Sequence, residues 1–111
     1  MAFIVPTKLG QGSVATGAGT LVYTAPPGIT TLVKCIDLTN TSVGTVKVNL
    51  YLVPIGGTAS ASNCLIYGAS VSASSLYQWT GTQVLATGGF LQAIADGAGC
   101  TINAAGGEYV V

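Results

Sequence analysis

Short runs of β-branched, aliphatic and aromatic residues recur along this chain, each closed within a few positions by Gly, Pro, Asn, Ser or Thr. That punctuation leaves little freedom of fold. Pro and Gly are costly inside a helix, whereas they end strands and make turns. No window carries sustained apolar residues at i, i+3, i+4 and i+7, so no long helix is expected. Many short strands with turns between them predict an all-β fold, an antiparallel two-sheet β-sandwich of which a jelly roll is one form.

The strands can be placed individually. Thr20 to Thr24 is closed by Ala25-Pro26-Pro27-Gly28, and Thr30 to Leu38 follows with Leu32, Lys34, Ile36 and Leu38 read on one face. Thr45 to Val53 alternates most cleanly, which puts Val46, Val48, Leu50 and Leu52 in the core. The intervening Thr39–Gly44 segment is short and rich in turn formers, predicting an antiparallel hairpin between these two strands. The small-residue stretch Gly56–Ser62 reads as a loop with room for one helical turn, before the apolar run Cys64-Leu65-Ile66-Tyr67. Later strands are expected at Ser75–Trp79, Thr82–Ala86, Phe90–Ala95, Cys100–Asn103 and Glu108–Val111, with turns at Gly81, Gly88-Gly89, Gly97–Gly99 and Gly106-Gly107. Residues 1–19 suit either an N-terminal arm or a first strand plus loop, and residues 20–111 the sandwich domain.

Charge narrows the function classes. Half the residues are hydrophobic and 5% are charged: Lys8, Lys34, Lys47, Asp37, Asp96 and Glu108, with zero formal net charge. Soluble domains usually carry far more charge, because neutral apolar surfaces associate. The surface is therefore expected to be buried against neighbours. Three lysines and no arginine argue against nucleic-acid binding, which depends on neutralising phosphates. No apolar run is long enough for a spanning helix, and Met1–Pro6 is too short for an export signal, so the expectation is no membrane, and synthesis in the host cytoplasm with the Asn40-Thr41-Ser42 sequon unmodified.

Nothing in the chain predicts chemistry. With no His and three scattered carboxylates, neither Ser-His nor Cys-His machinery can be built, so no enzyme, catalytic residue, cofactor or metal site is expected. Gly10-x-Gly12 and Gly17-x-Gly19 lack the Lys-Ser/Thr of a phosphate loop, and Asp96-Gly97-Ala98-Gly99 offers a single carboxylate to calcium. Cys35, Cys64 and Cys100 match no zinc spacing and read as reduced, mostly buried small hydrophobes. The interface candidates are Tyr51, Tyr67, Tyr77, Trp79 and Tyr109, because aromatics carry large contact area with few rotors, together with Phe3, Ile4 and Val5 of the N-terminal segment. Sugar binding on a sandwich face would use the same aromatics.

The order Tyr23-Thr24-Ala25-Pro26-Pro27-Gly28-Ile29-Thr30, Leu32, Ile36-x-Leu38-x-Asn40, Ser42, then Leu52-Val53-Pro54-x-Gly56-Gly57-Thr58-Ala59 resembles a family of small tailed-bacteriophage virion proteins. The resemblance is best over residues 23–60. It continues more loosely to Val111, through Val84-Leu85 and Gly88 before Phe90-Leu91. The double proline and the three cysteines depart from the pattern. The resemblance implies a structural protein of capsid surface, tail fibre or baseplate, with no catalytic residue to carry over. The expectation is a capsid decoration (cement) protein, a homotrimer on the capsid exterior that bridges the major capsid protein. The alternatives are a tail-fibre, baseplate or adaptor module, and a carbohydrate-binding host-recognition module.

Overall fold

The computed structural model describes residues 3–17 and 19–110, the side chain of Phe3 excepted. Among the described residues eight strands follow one another: β1 (Phe3–Ser13), β2 (Thr20–Thr24), β3 (Thr30–Asn40), β4 (Val46–Val53), β5 (Cys64–Val71), β6 (Ser75–Leu85), β7 (Phe90–Ala95) and β8 (Cys100–Val110). One 3-10 turn, Ala61–Asn63, occupies the loop that had room for it. The strands form two four-stranded sheets, sheet A in the order β1-β8-β3-β6 and sheet B in the order β2-β7-β4-β5.

The pairing follows one rule. β1 pairs with β8, β2 with β7, β3 with β6 and β4 with β5, all antiparallel, as if one long hairpin with its tip between β4 and β5 were folded over on itself. Pairing of β3 with β8 and of β4 with β7 completes the sheets. This is the jelly roll, two Greek keys closed on each other. It is elongated, with extents of 49 × 26 × 19 Å. One end carries the connections 25–29, 54–63 and 86–89. The other carries 14–17, 41–45, 72–74 and 96–99.

The core lies between the sheets. Val33, Ile36, Leu38 and Ile102 of sheet A face Val48, Leu50, Leu91 and Ala93 of sheet B, all essentially inaccessible to solvent. Val46, Val48 and Leu50 are buried as their alternation requires, while Leu52 is only half-buried.

The face expected for β3 is corrected by a bulge. Between Val33 and Cys35 the register slips against both neighbours: Lys34 is an extra residue against β8, whereas on β6 two residues, Gly81 and Thr82, oppose it, and the inward set of β3 changes parity. Thr31 and Val33 point inward before it, Ile36 and Leu38 after it, and Lys34 is exposed. β1 slips at the same level, between Lys8 and Gly10. On β8 between them, a Cβ at Gly106 would overlap the Leu32 carbonyl oxygen, so glycine permits the close approach.

Two further corrections concern turns. Gly81 and Gly106-Gly107 lie inside β6 and β8, so the four strands expected in those stretches are two long ones. The expected hairpin between β3 and β4 does not form, since these strands belong to different sheets. The chain crosses there because Asn40, fully buried, organises the connection. Its amide nitrogen donates to the carbonyls of Gly44 (2.7 Å) and Val71 (2.9 Å), and its oxygen accepts from the Ser42 amide (2.9 Å) and hydroxyl (2.7 Å). Residues 3–13, within the segment offered as arm or strand, run as the outer strand of sheet A.

Candidate interaction surface

The outer face of sheet A carries an apolar row. Pro6, Gly107, Leu32 and Val84 are successive cross-strand neighbours spanning all four strands, and Ile4 pairs with Tyr109 one step nearer the chain ends. Val84 is 62% exposed, Ile4 51% and Tyr109 41%. The charged groups on this face bond to neutral partners: Lys8 Nζ to Gln11 (2.9 Å), Lys34 Nζ to Thr82 (2.6 Å), and Gln78 Nε2 to Asp37 (2.8 Å).

The four sheet edges differ in their protection. Edge strands invite further pairing unless they are short, charged, kinked or broken by proline. β1 contains Pro6 and Lys8, β2 has five residues, and β5 is broken by register slips against β4. β6 is eleven residues long and mostly exposed, with neither a charge nor a proline, and its register against β3 slips once, at Gly81 and Thr82.

The outer face of sheet B holds a shallow depression of about 520 Å³, lined by Lys47, Asn49, Tyr67, Gly68, Ile94, Ala95 and Asp96. Its shape comes from a bulge. Val48 pairs with Ala69 and Leu50 with Ile66, so Tyr67 and Gly68 together oppose Asn49. Gly68 takes φ +63°, a left-handed conformation suited to glycine, and its amide donates to Asn49 Oδ1 at 2.6 Å. Tyr67 is thereby turned out and stands 81% exposed. The Asn49 amide nitrogen donates to the Tyr51 hydroxyl at 3.3 Å. The Lys47 backbone amide donates to Asp96 Oδ1 (2.8 Å) while the Asp96 backbone amide donates to the Lys47 carbonyl (3.0 Å), a reciprocal pair of bonds that fixes Asp96 and reaches one oxygen of its carboxylate.

The structure separates the sequence candidates. Tyr51 is half-buried and Tyr67 exposed, both beside the depression, whereas Ile4 and Tyr109 share the outer face of sheet A. Val5, opposite Glu108, is exposed at the rim of the sandwich. Trp79 packs half-buried against the core, and Tyr77, two residues away on the same strand, is exposed. The Phe3 side chain lies outside the described residues. Pro6, Leu32 and Val84 were missed because cross-strand adjacency is invisible in the linear sequence. Lys47 and Asn49 carried no motif, and Asp96 was read only as the single carboxylate of a glycine-rich turn.

Among the described residues no group of three His, Cys, Asp or Glu is placed to hold a metal, and no helix is long and apolar enough to cross a membrane. All three cysteines are free, Cys100 buried and Cys35 and Cys64 half-buried. Burial pushes each thiol's pKa up, reinforced at Cys35 by the nearby Asp37 carboxylate. Such thiols are poor nucleophiles.

No protein-family model and no curated protein sequence matches the chain. Solved structures do. The chain is similar to one in the structure of infectious bursal disease virus, Gx strain, with a TM-score of 0.62 and 12% identity over 99% of its length. It is also similar to one in the T13 particle of that virus, with a TM-score of 0.55 and 12% identity over 97% of its length. These viral chains share its fold. The chain spans 33% of the length of the first and 30% of the second.

Proposed function

We propose that this chain is a structural component of a bacteriophage virion, a capsid decoration protein that binds the outside of the head and bridges neighbouring major capsid subunits. The observation that carries the reading is a jelly roll, the fold of the viral chains above, whose outer face of sheet A presents Ile4, Pro6, Leu32, Val84 and Tyr109 as one apolar surface. The resemblance of residues 23–60 to small tailed-phage virion proteins points the same way. Its role is passive, supplied by surface contact and not by catalysis.

Self-association belongs to this reading. An apolar face and the open edge of β6 on a chain with zero net charge favour a closed oligomer, and we propose a homotrimer. Contacts of this kind survive salt, because screening weakens exposed ion pairs and leaves apolar burial intact.

The test is occupancy of undecorated capsids by the purified chain, measured across a salt series, together with copy number in purified particles. Hundreds of copies per particle, retained at about 0.5 M NaCl, support decoration. Copy numbers of a few to a few dozen reassign the chain to the tail fibre, baseplate or an adaptor. Complete release by salt defeats the apolar-contact mechanism.

A further inference from the structure

The depression on the outer face of sheet B is built from independent parts that converge on one kind of ligand. Tyr67 is aimed over it by a bulge whose left-handed glycine is fastened to Asn49. A bulge blunts an edge strand whatever residue it displays, so edge protection alone does not call for an aromatic ring 81% exposed there. Bulges also serve to re-aim a side chain beside a binding site.

The facing groups are fixed as well. The reciprocal Lys47–Asp96 bonds hold the carboxylate in place and engage one of its oxygens, and the Asn49 amide is held at both ends by Gly68 and Tyr51. Ile94 adds an apolar wall between them. Lys47 and Asp96 are the only charged residues lining the depression, and they cancel. A neutral ligand therefore fits better than a phosphate or a cation. The space, about 520 Å³, lies within the range of small-molecule sites, about 300–1,000 Å³.

From this arrangement we infer that the depression binds a neutral saccharide, Tyr67 stacking on the C–H face of a pyranose ring while Asp96, Asn49 and Lys47 bond its hydroxyl groups. A pyranose presents an apolar face and a rim of hydroxyls that both donate and accept. An aromatic plate beside a carboxylate acceptor, an ammonium donor and an amide capable of both matches that pattern. Rigid polar groups lose little entropy on binding. The open shape admits one unit of a longer glycan. The site does not depend on the capsid reading, and a decoration protein using sheet A against the shell would leave this face free to meet a polysaccharide.

The experiment is amide chemical-shift mapping of the full 15N-labelled chain with glucose, galactose, mannose and N-acetylglucosamine, each at about 100 mM to reach millimolar affinities. At least one sugar should shift Asn49, Tyr67, Gly68 and Asp96. Tyr67→Ala should weaken that sugar about tenfold, Tyr67→Phe should retain it, and both spectra should remain dispersed. Asp96→Asn should weaken binding without abolishing the stack. If none of the four sugars shifts these amides, or Tyr67→Ala binds like the parent, the proposal is overturned. Capsid occupancy by Tyr67→Ala should equal that of the parent, which keeps this test separate from the decoration reading.

Discussion

Tyr23 on β2 donates its phenolic hydrogen to a carboxylate oxygen of Glu108 on β8 at 2.6 Å, and its oxygen lies 2.8 Å from the Thr31 hydroxyl on β3, which donates to it. One phenol thus fastens sheet B to two strands of sheet A. Burial, then the bond to Glu108, pushes the Tyr23 pKa up to about 12 from 10.0, against a smaller opposing effect of Thr31. An unfolded chain would lose this proton near 10, so the stability linked to Tyr23 is fully present below that pH and is lost as pH rises through about 12. Tyr23→Phe should cost about 1–3 kcal/mol at neutral pH, because it strips the carboxylate and Thr31 of a partner. Urea unfolding of parent and variant should converge as pH rises above 10. A gap that stays constant with pH would show that the phenol's ionisation is not linked to folding.

Asn40 uses both amide hydrogens and its oxygen within the β3–β4 crossing. Asn40→Ala should therefore cost about 2–4 kcal/mol by depriving the buried Val71 carbonyl of its Asn40 donor and undoing the turn bonds to Ser42 and Gly44. Asn40→Asp should also be destabilising, since it sets an acceptor against the carbonyls of Gly44 and Val71. Chemical denaturation decides the matter, and a loss under about 0.5 kcal/mol for either variant would mean that the crossing holds without its anchor.

Leu50 is fully buried between the sheets, whereas Leu52, two residues along the same strand, is half-buried. Leu50→Ala should cost about 2–5 kcal/mol through lost burial and the cavity left behind. Leu52→Ala should cost clearly less. Equal effects would contradict the tapering of the core along β4.

The three thiols should label in an order set by their surroundings. Cys35 and Cys64 are half-buried and Cys100 is buried, and each has its pKa raised by burial. Labelling of the native chain at neutral pH should be slow, should quicken as pH rises and thiolate forms, and should reach Cys100 last. Denaturant should abolish the order. Cys100 reacting first in the native chain would contradict its placement in the core.

Much of this architecture was legible, and the misreadings share a physical origin. The alternation of β4 could be read because its inward set keeps a strict period of two, but the period in β3 is broken by one extra residue at Lys34, which no propensity marks. Gly81 and Gly106-Gly107 looked like turns because glycine serves turns and strand irregularities alike. The Asn40-Thr41-Ser42 chemistry announced a change of direction correctly and could not say whether the chain returns in its own sheet or crosses to the other. The aromatic candidates were found by residue type. Their separation into Tyr67 beside the sheet B depression, Tyr109 on the opposite face and a half-buried Trp79 depends on pairings far apart in sequence. The Tyr67 bulge left no trace beyond the glycine that follows it.

The pairing rule also sets a timetable. Phe3 pairs with Val110, so β1, an edge strand of sheet A, waits until the residues through Val110 have been made. At about 5–20 residues per second that wait lasts roughly 5–20 s on a ribosome. β4 and β5, neighbours in sequence, can meet early, and the remaining pairs then close outward in order of increasing separation, as expected when loop-closure entropy governs the order of events. The chain therefore emerges with β1 as an unsatisfied edge that is completed only once β8 has been made. Nascent chains halted at Ala95 should keep β1 open to protease, and extension through Val110 should close it.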